Sequence, residues 1–128
     1  VATDFEHRSF AQELALCQRY YFRMNADDGT NTMFGTGWCN ASNKAIGIIH
    51  FPVKFRTPPS ALEQTGTVTD YRVNEYSTNH VCDAVPTFST CGLDTATVVF
   101  SVASISTGRP IFLRAADSSA FLAWSAEL

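Results

Sequence analysis

The 128-residue chain is poor in charged side chains, and this scarcity excludes several classes of protein. Charged residues make up 16% of the sequence, against about 25% in a typical soluble domain. The nine Lys and Arg are scattered rather than clustered, so the phosphate contacts of a nucleic-acid-binding protein are not expected. No apolar run approaches the roughly 18 residues of a membrane-spanning helix, and no membrane insertion is expected.

The sequence also lacks the motifs that identify an enzyme or a zinc site. The four Cys form no C-x-x-C pair, which argues against zinc, and no G-x-S-x-G nucleophile motif occurs. Asp70, Glu75 and Asp83 are available for the carboxylate pair of a glycosidase, but carboxylates in loops are usually solvated caps. We therefore predict no enzyme, no cofactor and no metal site.

Two features of the sequence leave alternatives open. Asp27, Asp28 and Asn31 offer the oxygen ligands of a calcium site, but the twelve-residue calcium loop with its terminal Glu is missing, and a turn built by Asx hydrogen bonds explains the same letters. Cys82 and Cys91 flank a short segment that a disulfide could close, although four cysteines allow three pairings. Cys17, on an apolar stripe, is interpreted as a buried free thiol.

One helix opens the folded part of the chain. Phe10, Leu14 and Cys17 follow the spacing of one helical face, and Ser9 with Gln12 forms a capping box. These signals predict a helix over residues 9–17. Residues 1–8 show no clear period and are interpreted as a connector from an upstream domain.

The remaining sequence has the alternation and turn spacing of a β protein. TATVVFSVASI predicts the clearest strand, with Ala96, Val98, Phe100 and Val102 on one face. AIGIIHFPVKF predicts a strand buried on both faces in its first half, with an edge or a bulge at Pro52. Residues 77–94 are interpreted as a long irregular loop. We predict one domain over residues 9–128: an antiparallel β-sandwich of jelly-roll type with one short N-terminal helix.

Aromatic and amide side chains in the middle of the chain suggest a sugar-binding site. A flat ring stacks on the apolar face of a pyranose, and planar polar groups bind its hydroxyls. Trp38 and Tyr71 are candidates for the ring, although large aromatics in strands usually face the core. The full candidate set is Trp38, Tyr71, Tyr76, Asn79, His80 and Asp83.

Three segments resemble a family of phage proteins. FEHRSFAQELALCQRYYF resembles the F-E-x-R-S…E-L-x-x-C-Q-R-Y-Y segment found in tail-fibre and related virion proteins of phages and prophages. FPVKFRTPPS and FLRAADSSAFLAWSAEL resemble later segments of the same C-terminal domain family. The resemblance implies a virion location in a tail fibre or head appendage, contact with other virion proteins and with the host surface, and no catalytic set. Residues 77–94 depart from the family pattern.

These expectations lead to one principal function and one alternative. The chain is predicted to be a distal tail-fibre or receptor-binding domain that contacts a host-surface glycan or protein. The alternative is a capsid-decorating or fibre-trimerising structural module without a ligand. The segments QRYYFRM and AFLAWSAEL carry apolar residues on both faces of an extended strand. This favours burial of one face in a homotrimer interface, unless the core of a monomer covers both faces.

Overall fold

The computed structural model describes residues 9–27 and 32–126, which form one α-helix and nine strands. Every strand pairing is antiparallel. The predicted class, antiparallel β with one short N-terminal helix, is confirmed, while the connector over residues 1–8 lies outside the described residues. The elements are α1 (Phe10–Gln18), β1 (Tyr21–Asn25), β2 (Met33–Ala41), β3 (Lys44–His50), β4 (Ala61–Glu63), β5 (Tyr71–Glu75), β6 (Thr78–Cys91), β7 (Thr95–Val102), β8 (Pro110–Ala115) and β9 (Phe121–Ser125).

Six of the strands close into a barrel in the order β2-β3-β7-β6-β5-β8. Strand β8 closes it by pairing with β2, where Phe112 lies opposite Thr36. The other three strands form a separate sheet in the order β1-β9-β4. The jelly-roll sandwich is not confirmed, because a closed barrel replaces two stacked sheets; closure also removes the free sheet edges that open sheets must protect.

Strand β7 supplies one wall of the barrel core. Its alternate residues Ala96, Val98, Phe100 and Val102 are all buried, as the alternation predicts. Phe100 meets the ring of Tyr71 from β5 edge-on, with ring centroids 5.8 Å apart. Truncation of such a buried aromatic typically costs about 3–5 kcal/mol, so this ring contact stabilises the packing between β5 and β7, the two neighbours of β6.

Strand β3 differs from its prediction on one face. Ile49 is buried inside the barrel, but Ile48 is 44% exposed on the outside. The prediction of burial on both faces is therefore wrong at Ile48, because the barrel places only one face of each strand inside. The strand ends at His50, so Pro52 lies beyond the ladder rather than at an edge or a bulge within it.

Close backbone approach explains the paired glycines of β2 and β3. Gly37 lies opposite Gly47, and a Cβ atom at Gly37 would come within 2.6 Å of the Gly47 Cα. A Cβ at Gly47 would in turn come within 2.6 Å of Leu113 Cδ1. Neither position has room for a side chain, so both glycines are required for the two strands to pack against β8.

The predicted loop over residues 77–94 is wrong: most of it is the long strand β6. Its pairing with β7 shifts register between Cys82 and Ala84, and twice more before Cys91. Each bulge adds unpaired residues, so the period-2 pattern is broken although the chain stays extended. Cys82 and Cys91 lie nine positions apart on this one strand, and all four thiols are free.

The outlying sheet accounts for the apolar closing segment. Strand β9 lies between β1 and β4, and its Leu122, Ala123 and Trp124 are buried. Phe22 of β1 stacks on Trp124 with centroids 6.3 Å apart. Burial within the chain thus explains why AFLAWSAEL is apolar on both parities, and the homotrimer stays a prediction.

Helix α1 lies on the surface. The predicted capping box is confirmed: Ser9 Oγ accepts from the Gln12 backbone N–H at 3.2 Å, and Gln12 Oε1 accepts from the Ser9 N–H at 3.0 Å. The helix buries no residue. Phe10 is 82% exposed, and Cys17 is exposed rather than buried as predicted. In the described part of the chain, no helix combines the length and hydropathy needed to cross a bilayer.

Candidate functional site

A groove of about 390 Å³ lies on the outer face of the barrel, where β2, β8 and β5 run side by side. Trp38 lies opposite Pro110, and Phe112 lies between Thr36 and Asn74 in the ladder. Because alternate residues of a strand point to the same side, these side chains share the outer face. The groove is lined by Thr36, Gly37, Trp38, Asn74, Tyr76, Pro110, Ile111 and Phe112.

Two exposed aromatic rings line this groove. Trp38 is 44% exposed and Tyr76 is 67% exposed, so both rings face solvent rather than the core. Phe112 adds a third exposed ring that the sequence did not single out. The exposure of the Phe112 ring can be predicted only when it is known that Ile111 and Leu113, its neighbours in β8, face the interior.

Tyr76 occupies a strained turn. Strands β5 and β6 pair up to Glu75 and Thr78, which leaves a two-residue turn at Tyr76 and Ser77. Tyr76 has φ +54°, and no other non-glycine residue among those described has positive φ. A bulky residue rarely adopts this conformation, and such strain concentrates at functional sites. The Arg109 guanidinium lies 4.5 Å from the Tyr76 ring centroid, and this contact supports the ring.

Two amides lie side by side next to the aromatic rings. Asn74 lies opposite Asn79 in the β5–β6 ladder, and Asn74 Nδ2 donates to Asn79 Oδ1 at 2.8 Å. Asn74 is buried although it lies on the outer face, between Asn79 and Phe112 in the ladder. The hydrogen bond fixes the orientation of a planar polar group at the groove.

Glu75 anchors the loop that carries Arg109. Its carboxylate points inside the barrel, is buried, and accepts from the Ser106 backbone N–H at 2.7 Å. Arg109 Nη1 lies 3.4 Å from Glu75 Oε1, and His80 Nε2 lies 3.9 Å away. The Ser106 hydrogen bond is the main cause that lowers the pKa of Glu75; burial opposes it, and Arg109 and His80 add to it.

The Glu75 carboxylate also influences the thiol beside it. Cys39 Sγ lies 3.8 Å from Glu75 Oε2, and burial first, then the negative charge of Glu75, raise the pKa of Cys39. This thiol is therefore a protonated donor near neutral pH. Of the carboxylates considered for a glycosidase, Glu75 and Asp70 both serve structural hydrogen bonds, Asp70 by accepting from Thr65 Oγ1 at 2.6 Å.

Of the six predicted site residues, Trp38 and Tyr76 line the groove, Asn79 adjoins it through its hydrogen bond with Asn74, and the other three lie elsewhere. Tyr71 is buried in the barrel, where its hydroxyl donates to the Phe121 carbonyl at 2.6 Å and accepts from the Thr65 N–H at 3.1 Å; it shares the inward parity of Glu75. His80 is half-buried and turned towards Glu75. Asp83 is exposed on β6, away from the groove lining. The structure thus brings together Trp38, Tyr76 and Asn79, through Asn74.

A metal centre finds no support in the described side chains. Across residues 9–27 and 32–126, no three His, Cys, Asp or Glu side chains lie close enough to hold a metal ion. The calcium alternative involves Asp28 and Asn31, which lie outside the described residues. The chemistry that the groove offers is ring stacking and amide hydrogen bonding.

Comparisons with known proteins assign no family to the chain. Neither protein-family models, nor curated proteins, nor solved structures gave a match. The function is therefore inferred from the side chains of the groove and from the sequence resemblance.

Proposed function

We propose that this chain is a phage virion domain, at the distal part of a tail fibre or receptor-binding protein, that binds a host-surface glycan in the groove on β2, β8 and β5. One observation carries the proposal: the exposed rings of Trp38 and Tyr76 line the same groove. The three segments that resemble tail-fibre proteins support the virion location and contact with other virion proteins.

The groove has the chemistry that sugar recognition needs. Aromatic rings offer flat apolar surfaces for the C–H face of a pyranose, and the amide of Asn74 offers a donor and an acceptor for hydroxyls. Its volume of about 390 Å³ falls in the usual range of roughly 300–1,000 Å³ for small-ligand sites. Tyr76 is supported by Arg109, so less conformational freedom is lost on binding.

The proposed homotrimer would compensate for weak binding at each site. A shallow surface groove buries little of its ligand, so single-site affinity is low. Tethering three copies converts later binding events into intramolecular ones and raises avidity by about 10²–10⁴. A fibre tip that presents three grooves to a repetitive cell-surface polysaccharide uses this effect.

The test is binding of the purified domain to an array of bacterial surface polysaccharides and to intact bacterial cells. Trp38→Ala and Tyr76→Ala are each expected to weaken binding about tenfold or more, as for aromatic residues at binding hot spots. Phe10→Ala is the matched control, because Phe10 is an exposed ring on α1, outside the groove. Equal binding by all three variants would refute the groove as the glycan site.

A second candidate function, an assembly module without a ligand, is favoured by the apolar surface beyond the groove. Met33, Ile48 and Val81 are exposed on the same outer face as Phe112. Light scattering during size exclusion tests it. The assembly module predicts a mass of three times 14.0 kDa for the wild type and the mass of a single copy for Ile48→Lys. These masses, together with cell binding that Trp38→Ala does not affect, would favour the assembly module over the receptor-binding domain.

A further inference from the structure

The lining of the groove on β2, β8 and β5 is uncharged. Of the described residues, none that lines it is an Asp, Glu, Lys, Arg or His. Arg109 contacts the Tyr76 ring without lining the groove, and its charge is paired with Glu75 at 3.4 Å. A charged ligand group in the groove loses part of its hydration and gains no counter-charge from the lining, which is costly. The groove therefore favours a ligand without charge.

One row of the groove, the apolar row, consists of Trp38, Pro110 and Tyr76. Trp38 lies opposite Pro110 in the β2–β8 ladder. Tyr76 follows Glu75, which lies opposite Ile111, and so comes next to Pro110. The side chains of the apolar row are three rings, whose polar groups are only the indole N–H and the phenol hydroxyl. A ligand that lies along this row meets carbon atoms over most of its length.

The neighbouring row supplies most of the polar groups. Thr36, Phe112 and Asn74 lie side by side across β2, β8 and β5, so the Phe112 ring separates a hydroxyl from an amide. Asn74 is buried and donates one N–H to Asn79 at 2.8 Å, which leaves it few bonds for a ligand. Each residue of this row is two positions, or roughly 7 Å, from the apolar row. One pyranose with its substituents contacts both rows.

This division into two rows favours a sugar with one polar and one apolar edge. Hydroxyls on the polar edge bind the side chains of Thr36 and Asn74. A hydroxyl on the opposite edge is surrounded by carbon atoms and loses its hydrogen bonds to water. A methyl group in the same place leaves water and gains contacts. Such a methyl group occurs in 6-deoxyhexoses and in N-acetylated amino sugars, and both kinds of sugar are uncharged.

We infer that the groove takes a neutral saccharide that carries a methyl group, as the 6-deoxy or the N-acetyl substituent of a hexose; this rests on the proposed glycan-binding function. The sugar ring lies on Phe112, and its hydroxyls face Thr36 and Asn74. Its methyl group contacts the apolar row. Parent hexoses lack the methyl contact, and uronic acids place a charge where the lining has no partner for it, so both bind more weakly.

The experiment titrates the isotope-labelled chain with monosaccharides and follows its two Trp indole N–H signals by NMR. Trp38 lines the groove, and the buried Trp124 is the internal control. Each series contains a hexose, its 6-deoxy form, its N-acetylamino form and its uronic acid. The series cover the gluco, galacto and manno configurations in both enantiomers.

Phe112→Thr is the variant that tests the groove in the same titrations. Ile48→Thr is its matched control, because Ile48 is as exposed as Phe112, at 44% against 43%, and lies on the same outer face without lining the groove. Thermal unfolding of both variants confirms that they are folded.

In at least one configuration, the 6-deoxy or the N-acetyl sugar is expected to bind about fourfold tighter than the parent hexose, the value of burying one methyl group. The Trp38 signal shifts and the Trp124 signal does not. The sugar that gains binding identifies the substituent, and the uronic acid binds no tighter than the parent hexose. Phe112→Thr loses binding, while Ile48→Thr keeps it.

Parent hexoses that bind as tightly as their methyl-bearing forms, or uronic acids that bind more tightly, would overturn the inference and leave the glycan function standing. If no monosaccharide shifts the Trp38 signal, the inference is also overturned, and binding to the polysaccharide array decides on the glycan function separately.

Discussion

Replacing Tyr76 by Gly and, separately, by Ala distinguishes the role of the ring from the strain of the backbone that carries it. Both variants lose the ring and its contact with Arg109, a cation–π contact worth about 0.5–1 kcal/mol at an exposed site. They differ only in the Cβ atom at a residue whose φ is +54°. Any difference in stability between them therefore measures the strain of the turn.

The size of that difference follows from two opposing terms. An L-residue in the left-handed region costs about 1–2 kcal/mol, and Gly loses about 0.5–1 kcal/mol more backbone entropy on folding than Ala does. The Gly variant of Tyr76 is therefore expected to be more stable than the Ala variant by about 0.5–1 kcal/mol. For a domain of this size that corresponds to a melting temperature about 2–4 °C higher.

Thermal unfolding followed by circular dichroism measures the difference, and the same samples are tested on the polysaccharide array. Both variants should lose binding equally, so the Gly variant combines near-native stability with lost binding. Ser77 supplies the control pair, because it lacks positive φ and Ser77→Gly should be less stable than Ser77→Ala. An Ala variant of Tyr76 as stable as the Gly variant would show that the turn is not strained.

Three further predictions concern the barrel interior and the thiols. Because the folded-state pKa of Glu75 lies below its ordinary 4.5, its stabilising contribution is present above that pH and is lost as the pH falls through the lower value. Wild type should thus lose more stability than Glu75→Gln between neutral pH and about pH 3 in urea titrations; parallel losses would contradict the role of Glu75. Tyr71→Phe removes two buried hydrogen bonds and should lower the free energy of unfolding by about 1–3 kcal/mol. Glycan binding should not change. If the folded variant instead loses affinity for the glycan, Tyr71 belongs to the binding site. Cys17 is exposed, whereas burial raises the pKa of Cys82 to about 12. Iodoacetamide, with labelling read by mass spectrometry, should therefore modify Cys17 rapidly and Cys82 only in denaturant. A disulfide-linked peptide in the same spectra would refute the free thiols.

Local patterns predicted one strand with an uninterrupted buried face and the start of the helix. Strand β7 alternates Ala96, Val98, Phe100 and Val102 with more polar residues, and the barrel buries that face. The capping box of Ser9 and Gln12 marked the start of α1 correctly. In both cases the deciding interactions lie within a few residues, so the sequence alone carries the information.

Long-range contacts account for what the sequence did not reveal. Glu75 is held by Ser106, about thirty residues away, and no spacing rule links such positions. Tyr71 and Tyr76 are separated by an odd number of positions and so lie on opposite faces of the extended chain. Only the closure of the barrel decides which of them faces inward. The bulges of β6 depend on its pairing with β7. They interrupt the alternation of apolar and polar residues, so the sequence of β6 taken alone resembles a loop. The closed barrel likewise depends on β2 meeting β8, two strands far apart in sequence.

The pairing of β1 with β9 determines how the fold responds to mechanical force. Tyr21, at the start of β1, lies opposite Ser125, at the end of β9, so the two strands leave the sheet side by side at the same end. Tension applied between these points opens the antiparallel ladder one hydrogen bond at a time, as a zipper opens, instead of shearing all its bonds together. Tension that is carried by only one of these two strands does not separate the pair. The domain therefore offers little resistance to tension applied between the start of β1 and the end of β9.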